Sequence, residues 1–175
     1  MKKISLLFTA CLFCTIHASA QEKTTAIKLN YLSPIAKTLN LAFEKSVKED
    51  ASVQLGLYYT GFSSGGVSYS GIGITPEYRK YLTGEALDGA YIAPFARYQN
   101  ITLTEPSTTS KGTISTFGGG LIIGRQWMMK SISFDMFIGP IYNSGTYSSS
   151  SGTTINAGSF DGFSIRFGTT IGLGF

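Results

Sequence analysis

The amino-acid sequence predicts an all-β fold, an eight-stranded antiparallel transmembrane up-and-down β-barrel, and three observations support this prediction. Apolar residues alternate with small or polar residues along most of the chain, which is the periodicity of β-strands. The 175 residues include 21 Gly, 12 Phe and 10 Tyr, a composition that suits a barrel. Beyond the N-terminal segment, no apolar run reaches the roughly 18 residues of a membrane-spanning helix.

The first four predicted strands each separate an apolar face from a polar one. The first, at 26–32, has Ile27 and Leu29 opposite Lys28. The second, at 38–47, and the third, at 52–60, repeat the alternation, with Leu41 and Leu55 on their apolar faces. The fourth is placed at 69–82, after a Gly/Ser-rich stretch.

The last four predicted strands continue the pattern. The fifth covers 90–104 and the sixth 113–128, which contains three consecutive glycines at 118–120. The seventh starts at Ile132 and places Phe134 and Met136 opposite Ser133 and Asp135. The eighth ends at Phe175. An even number of strands puts both chain termini on the same side of a membrane.

The connections alternate in length. Short turns are predicted at 48–50, 83–89 and 129–131, and longer loops at 61–68, 104–111 and 144–158. Short turns on the periplasmic side and longer loops outside are typical of outer-membrane barrels. We therefore expect periplasmic N- and C-termini, and an extracellular ligand, if the protein has one, at the three longer loops.

The first twenty residues predict a cleaved signal peptide at 1–20, before a barrel domain at 21–175. Lys2 and Lys3 precede an apolar segment that is too short to span a bilayer, and Ala18-Ser19-Ala20 provides a cleavage site.

The N-terminal segment also contains both cysteines and the only histidine: Cys11, Cys14 and His17. Residues 21–175 therefore offer no disulfide and no thiolate or imidazole metal ligand, and we predict no metal site and no cofactor. Without Lys2 and Lys3 the chain has 12 basic and 10 acidic residues. A net charge of +2 is too small to indicate nucleic-acid binding.

Charged residues on the polar strand faces predict a charge network in the lumen. An arginine that faces lipid at mid-depth costs about 2–4 kcal/mol, so Arg97 is assigned to the interior as well. The predicted network is Lys28, Glu44, Glu77, Arg79, Arg97, Asp135 and Arg166. Two interpretations are open, a gated pore or substrate-binding lumen and a polar plug that keeps the barrel rigid. The plug is favoured because eight strands leave room for little more than side chains.

Aromatic residues near the predicted strand ends indicate the two interfacial girdles of a membrane barrel. The predicted girdle residues are Tyr31, Tyr59, Tyr69, Tyr81, Tyr98, Trp127 and Tyr142. Three prolines, Pro76, Pro94 and Pro140, interrupt predicted strands. Arg125 shares the apolar face of Leu121, which requires either a bulge or a position at the periplasmic rim.

The eighth strand resembles the closing strand of Gram-negative outer-membrane barrels, which ends in Phe and is recognised by the barrel-assembly machinery. The residues of this predicted insertion signal are Phe163, Ile165, Phe167, Ile171, Leu173 and Phe175. The resemblance implies a bacterial outer-membrane location, with lipid and lipopolysaccharide as surroundings.

The whole pattern resembles small eight-stranded barrels of the OmpA/OmpX type. The segments GIGITPEYRKYL (71–82) and AYIAPFARY (90–98) are similar to an uncharacterised outer-membrane barrel family of Bacteroidetes, which implies no catalytic residue. A structural or surface-binding role is therefore expected. A narrow channel is the second hypothesis and a lipid-modifying enzyme the third. Barrel enzymes generally use histidine, so this one would need another pair such as Asp135 with Glu77.

Overall fold

The computed structural model describes residues 23–64, 66–105, 110–151 and 154–175. Eight antiparallel strands form one closed barrel, in which β8 returns to pair with β1. The strands are β1 (Thr25–Leu29), β2 (Thr38–Lys48), β3 (Ala51–Ser64), β4 (Val67–Tyr81), β5 (Gly89–Glu105), β6 (Ser110–Met129), β7 (Ile132–Ser151) and β8 (Thr154–Gly174). The predicted fold class is confirmed. The predicted signal peptide at 1–20 lies outside the described residues.

The barrel has a base and a top. The base holds Thr25, Gly174 and the turns at 49–50, 82–88 and 130–131, and the top holds the turn at 30–37 and the opposite ends of β3 to β8. No helix in the described part of the chain is both long and apolar enough to span a membrane.

The strands are strongly tilted. The ladder that starts at Leu29 and Leu41 passes around the barrel through Leu57, Ile74, Tyr98, Phe117 and Ser144 to Asp161. Leu29, however, pairs with Ile171, ten residues further along β8. This stagger tilts the strands and leaves an interior that is just wide enough for side chains.

The two faces of the barrel wall are chemically opposite. Buried polar and small residues point into the lumen, whereas large apolar side chains cover the outside. We call this outer surface the apolar belt, and it includes Ile27, Leu29, Leu41, Phe43, Leu55, Leu57, Ile72, Ile74, Leu121, Ile123, Ile138, Phe167 and Ile171. Such a belt is typical of a barrel that faces lipid.

The first strand is shorter than predicted. It was expected to extend from 26 to 32 but ends at Leu29, and a 3₁₀ turn follows at Ser33–Ala36. The side-chain oxygen of Asn30 accepts hydrogen bonds from the backbone N–H groups of Leu32 (3.0 Å) and Ser33 (3.1 Å). This local turn competes with the strand ladder and ends it.

Two predicted loops are mostly strand. In 61–68, β3 extends to Ser64 and β4 begins at Val67. β7 and β8 likewise continue through most of 144–158. These Ser- and Gly-rich segments are too polar to be recognised as strands from the sequence, but the ladders of β3 with β4 and of β7 with β8 continue into them. The middle of the remaining predicted loop, residues 106–109 of 104–111, lies outside the described residues.

Arg125 needs no bulge. Its pairs Ala90–Arg125 and Arg125–Met136 continue the register of β6 on both sides. The side chain is exposed on the outer face near the base, with its guanidinium 5.3 Å from the Trp127 ring centre. Of the two sequence interpretations, the rim position is correct.

The prolines are accommodated within strands. Pro76 and Pro94 lie close together in β4 and β5 and line one shallow groove on the outer wall. The β4–β5 pairing is interrupted on both sides of the pair Glu77–Phe95, as expected where a proline lacks its N–H.

Candidate functional site

The lower half of the lumen contains a layer of buried charges, which we call the plug. Lys28 forms ion pairs with Glu44 and with Asp135, whose Oδ2 lies 3.3 Å from its Nζ. Arg79 Nη1 also lies 2.8 Å from Asp135 Oδ2. All four side chains are fully buried. Ions buried in this way are tolerated only when they are paired and hydrogen-bonded.

The network continues upward through Glu77. This carboxylate is paired with Arg79 Nη2 at 3.0 Å and, through its other oxygen, with Arg166 Nη2 at 2.5 Å. The guanidinium of Arg166 is stacked between two aromatic rings, at 4.4 Å from the centre of Phe95 and 4.7 Å from that of Phe137. Arg166 is therefore held in one orientation above the plug.

Neutral partners satisfy several of the remaining hydrogen-bonding positions. Gln126 Oε1 accepts from Lys28 Nζ at 2.6 Å, and Ser52 donates to Glu44. The hydroxyl of Tyr81 donates to Glu44 Oε1 at 2.8 Å, and that of Tyr91 donates to Asp135 Oδ1, also at 2.8 Å. The plug is thus a connected hydrogen-bonded layer rather than a set of separate ion pairs.

Sequence reasoning missed these neutral members, although strand parity contains the signal. Tyr81 has the parity of Glu77 and Arg79, and Tyr91 has that of Arg97. Gln126 alternates with the outward-facing Arg125 and Trp127. The two-residue period therefore places Tyr81, Tyr91 and Gln126 in the lumen.

The turn between β4 and β5 closes the base beneath the plug. Leu87 lies in this turn with only 1 % of its surface exposed and with a left-handed φ of 76°. The backbone N–H of Ala86 donates to Glu49 O at 2.7 Å, which ties this turn to the one between β2 and β3. In the turn between β2 and β3, a hydrogen bond from Lys80 lowers the pKa of the Asp50 carboxyl below its ordinary value.

Arg97 lies in the lumen but outside the plug. Its Nε donates to Thr75 Oγ1 at 3.4 Å, and its guanidinium lies 5.9 Å from the Tyr58 ring centre. Among the described residues it has no carboxylate within ion-pair distance. The predicted network therefore brings four basic and three acidic side chains into the lumen, with the surplus positive charge above the plug.

Five of the predicted girdle residues are on the outer face: Tyr31, Tyr59, Tyr98, Trp127 and Tyr142. Two are not. Tyr81 is a member of the plug and is 3 % exposed. Tyr69 has the inward parity of Gly71 and Gly73 and is stacked on Phe62, with 4.8 Å between ring centres. Both lie near strand ends, but parity decides which face a side chain occupies.

The residues of the predicted insertion signal all face outward. Phe163, Ile165 and Phe167 are 81 %, 70 % and 73 % exposed, and Ile171, Leu173 and Phe175 continue the row toward the base. The backbone of Phe175 exchanges two hydrogen bonds with Thr25, of 3.0 and 2.9 Å. This exchange lies just below the β1–β8 pairing. Recognition by an assembly machinery stays a prediction.

The acidic side chains of the predicted network, including the pair considered for catalysis, take part in ion pairs. Each acid of the predicted network is engaged by at least one lysine or arginine. Asp135 and Glu77, the pair that the enzyme hypothesis would use for catalysis, both form ion pairs with Arg79. In the described part of the chain, no group of three His, Cys, Asp or Glu residues could hold a metal ion.

Comparison with solved structures finds a similar fold in the crystal structure of a major outer membrane protein from Thermus thermophilus. The two chains are 14 % identical, with a TM-score of 0.53, and the match covers 86 % of this chain and 99 % of the other. At this identity the likeness concerns the fold alone.

In sequence, no curated protein is similar enough to this chain to count as a match. One family model matches residues 6–170, which is nearly the whole length. Its description states no activity. The chain belongs to the family described as protein of unknown function (DUF3575).

Proposed function

We propose that this protein is an integral barrel of the bacterial outer membrane whose lumen is sealed by the plug, and that it has a structural or surface-binding role. The apolar belt and the likeness to an outer membrane protein support the location. The base would face the periplasm and the top the outside. Outer-membrane lipid and lipopolysaccharide would surround the belt, and the barrel-assembly machinery would act on β8.

The observation that supports a sealed lumen is the layer of ion pairs across the lower half. Lys28, Glu44, Arg79 and Asp135 join strands from different sides of the barrel. An ion could pass only if several of these pairs separated, and removing one partner of a buried pair costs about 3–5 kcal/mol. Leu87, which is buried in the turn at the base, would add an apolar barrier at that end.

A surface-binding role is supported by the long strands at the top. β6, β7 and β8 have 20, 20 and 21 residues, whereas about 9–11 tilted residues cross a membrane. Their upper parts would therefore project from the membrane as a small sheet. Exposed Thr146, Tyr147 and Ser148 belong to this sheet. An extracellular ligand would contact this sheet rather than flexible loops.

The proposed function includes no catalysis, since every candidate acid is engaged in an ion pair. We also propose that the chain is a barrel of the OmpA/OmpX type and one of the Bacteroidetes barrels that its sequence resembles. The eight-stranded architecture supports this proposal.

Conductance in a planar lipid bilayer tests the sealed lumen. The wild-type protein is expected to give no steady single-channel current. A variant that removes two ion-pair partners, Arg79→Ser combined with Asp135→Ser, is expected to produce current or noise because water enters the layer. Arg125→Ser, on the outer face, is the matched control and should remain silent.

Large and steady currents from the wild-type barrel would contradict the sealed lumen. The narrow channel would then become the better hypothesis.

A further inference from the structure

The pairing between β8 and β1 ends low in the barrel wall. Four residue pairs of the described chain join the two strands, from Ala26–Gly174 to Leu29–Ile171. β8 continues to Thr154, whereas β1 stops and the chain turns away. Among the described residues, no strand pairs with the β1-facing edge of β8 above Ile171.

The wall has a lateral opening at this point, at the level of the upper apolar belt. Asn30 still covers β8 near Gly168, where an added Cβ would lie 3.2 Å from its side-chain nitrogen. Higher up, Ser164 is exposed although it has inward parity, and an added Cβ at Gly162 would have nothing within 4 Å. Backbone N–H and C=O groups of this edge cannot face hydrocarbon without partners. Water or a polar headgroup therefore has to occupy the opening.

The lumen behind the opening has unused positive charge. Arg166 follows Ser164 on the same face of β8, and its side chain is only 10 % exposed. One of its terminal nitrogens, Nη1, is buried and has no hydrogen-bond partner among the described residues. Arg97 lacks a carboxylate within ion-pair distance in the same part of the chain, and its guanidinium is close enough to that of Arg166 for the two to repel each other. Glu77, the acid that pairs with Arg166, is also bound by Arg79.

This arrangement suits an oxyanion. Guanidinium groups donate in a fixed fork that matches phosphate and carboxylate geometry. Phe95 and Phe137 hold the Arg166 guanidinium in one plane, so little side-chain freedom would be lost when a ligand binds.

The outer side of the opening suits an alkyl chain. Phe163, Ile165 and Phe167 form a row on β8 beside the unpaired edge and are among its most exposed side chains. A molecule that lies across the edge of β8 would place its polar end in the lumen and its apolar end on this row.

We propose that the upper lumen binds the oxyanion headgroup of an amphiphile through Arg97 and Arg166, and that its alkyl chain leaves through the opening between β8 and β1. The ligand class is a phosphate- or carboxylate-bearing lipid of the surrounding leaflet. This inference specifies the ligand of the proposed surface-binding role and rests on the barrel lying in a membrane. The plug below keeps the headgroup from passing further.

Calorimetric titration of the folded protein in dodecyl maltoside, with monododecyl phosphate as the probe, tests this site. Saturable binding is expected. Arg97→Gln should weaken it by about tenfold or more, since a hydrogen bond to a charged group is lost. Arg97→Lys should keep part of the affinity. Arg125→Gln, which changes an arginine on the outer face, is the control for partition into the micelle and should bind like the wild type.

Two further titrations separate the parts of the proposal. Inorganic phosphate should bind much more weakly than the alkyl ester, and Ser164→Trp should reduce binding of the ester by narrowing the opening while leaving that of inorganic phosphate unchanged. Equal affinity of wild type and Arg97→Gln would overturn the headgroup site. Two results would show that the ligand is not an amphiphile. One is an affinity for inorganic phosphate equal to that for the ester, and the other is unchanged binding of the ester by Ser164→Trp.

If Arg97→Gln does not fold, Arg97→Lys and Ser164→Trp decide the question. If no probe binds and the wild-type barrel still gives no current, the ligand proposal fails while the sealed lumen stands. The two proposals can therefore fail separately.

Discussion

At the scale of single residues, the buried charges of the plug are stabilised by hydrogen bonds that accompany the ion pairs. Asp135 shows this most clearly, because it accepts from Arg79 Nη1, from Lys28 Nζ and from the Tyr91 hydroxyl. The ring of Tyr91 also lies 4.4 Å from the Arg79 guanidinium. One tyrosine therefore contributes both a donor and an aromatic face.

Tyr91→Phe separates these two contributions, because it removes the hydroxyl and keeps the ring. We expect the free energy of unfolding to fall by about 1.5–3 kcal/mol, the range for a hydrogen bond to a charged group. Urea unfolding of the barrel in detergent micelles measures this. Tyr98→Phe, on the outer face, should change stability by no more than about 0.5 kcal/mol. Equal effects of the two variants would show that the Tyr91 hydroxyl contributes nothing.

At the scale of elements, close contact between strand backbones restricts which residue an inward position of β7 can hold. A Cβ added at Gly139 on β7 would lie 2.7 Å from Ile122 Cα and still closer to Leu121 O, both backbone atoms of β6. The backbone of a ladder cannot move aside as a flexible side chain can. The β6–β7 contact therefore requires glycine here.

Gly139→Ala should thus destabilise the barrel by about 1–3 kcal/mol, the usual cost of overpacking. Gly162→Ala on β8 is the matched control, since its Cβ would meet nothing within 4 Å, and it should be neutral or slightly stabilising. The fraction that stays folded on unheated gels, together with the urea midpoint, reports both effects. A Gly139→Ala barrel as stable as the wild type would show that the β6–β7 backbones can separate at little cost.

At the scale of the whole molecule, the orientation in the membrane follows from the proposed location. Ser148 is exposed on β7 near the top, and Lys130 is exposed in the turn at the base. With Cys11 and Cys14 replaced by serine, Ser148→Cys should react with a membrane-impermeant maleimide on intact cells. Lys130→Cys should react only after the outer membrane is opened. Labelling in the reverse order would invert the assigned orientation.

The sequence alone determined the fold class and the two faces of the barrel wall, because a β-strand has a two-residue period that puts alternate side chains on opposite faces. It also identified the charged members of the plug, since strand parity places their side chains on the polar face. Parity would have added Tyr81 and Gln126 had it been applied to aromatic and amide residues as strictly as to charges.

Only the tertiary structure decided which of these residues touch and where pairing stops. Arg79 and Lys28 both meet Asp135 because strand tilt and stagger bring positions on non-adjacent strands to one level, and no local pattern encodes that stagger. The polar segments 61–68 and 144–158 have no apolar face to mark them as strands, so their pairing depends on their neighbours. The opening beside β8 arises because β1 ends at Leu29 while its partner β8 continues, a difference that is visible only when the two strands lie side by side.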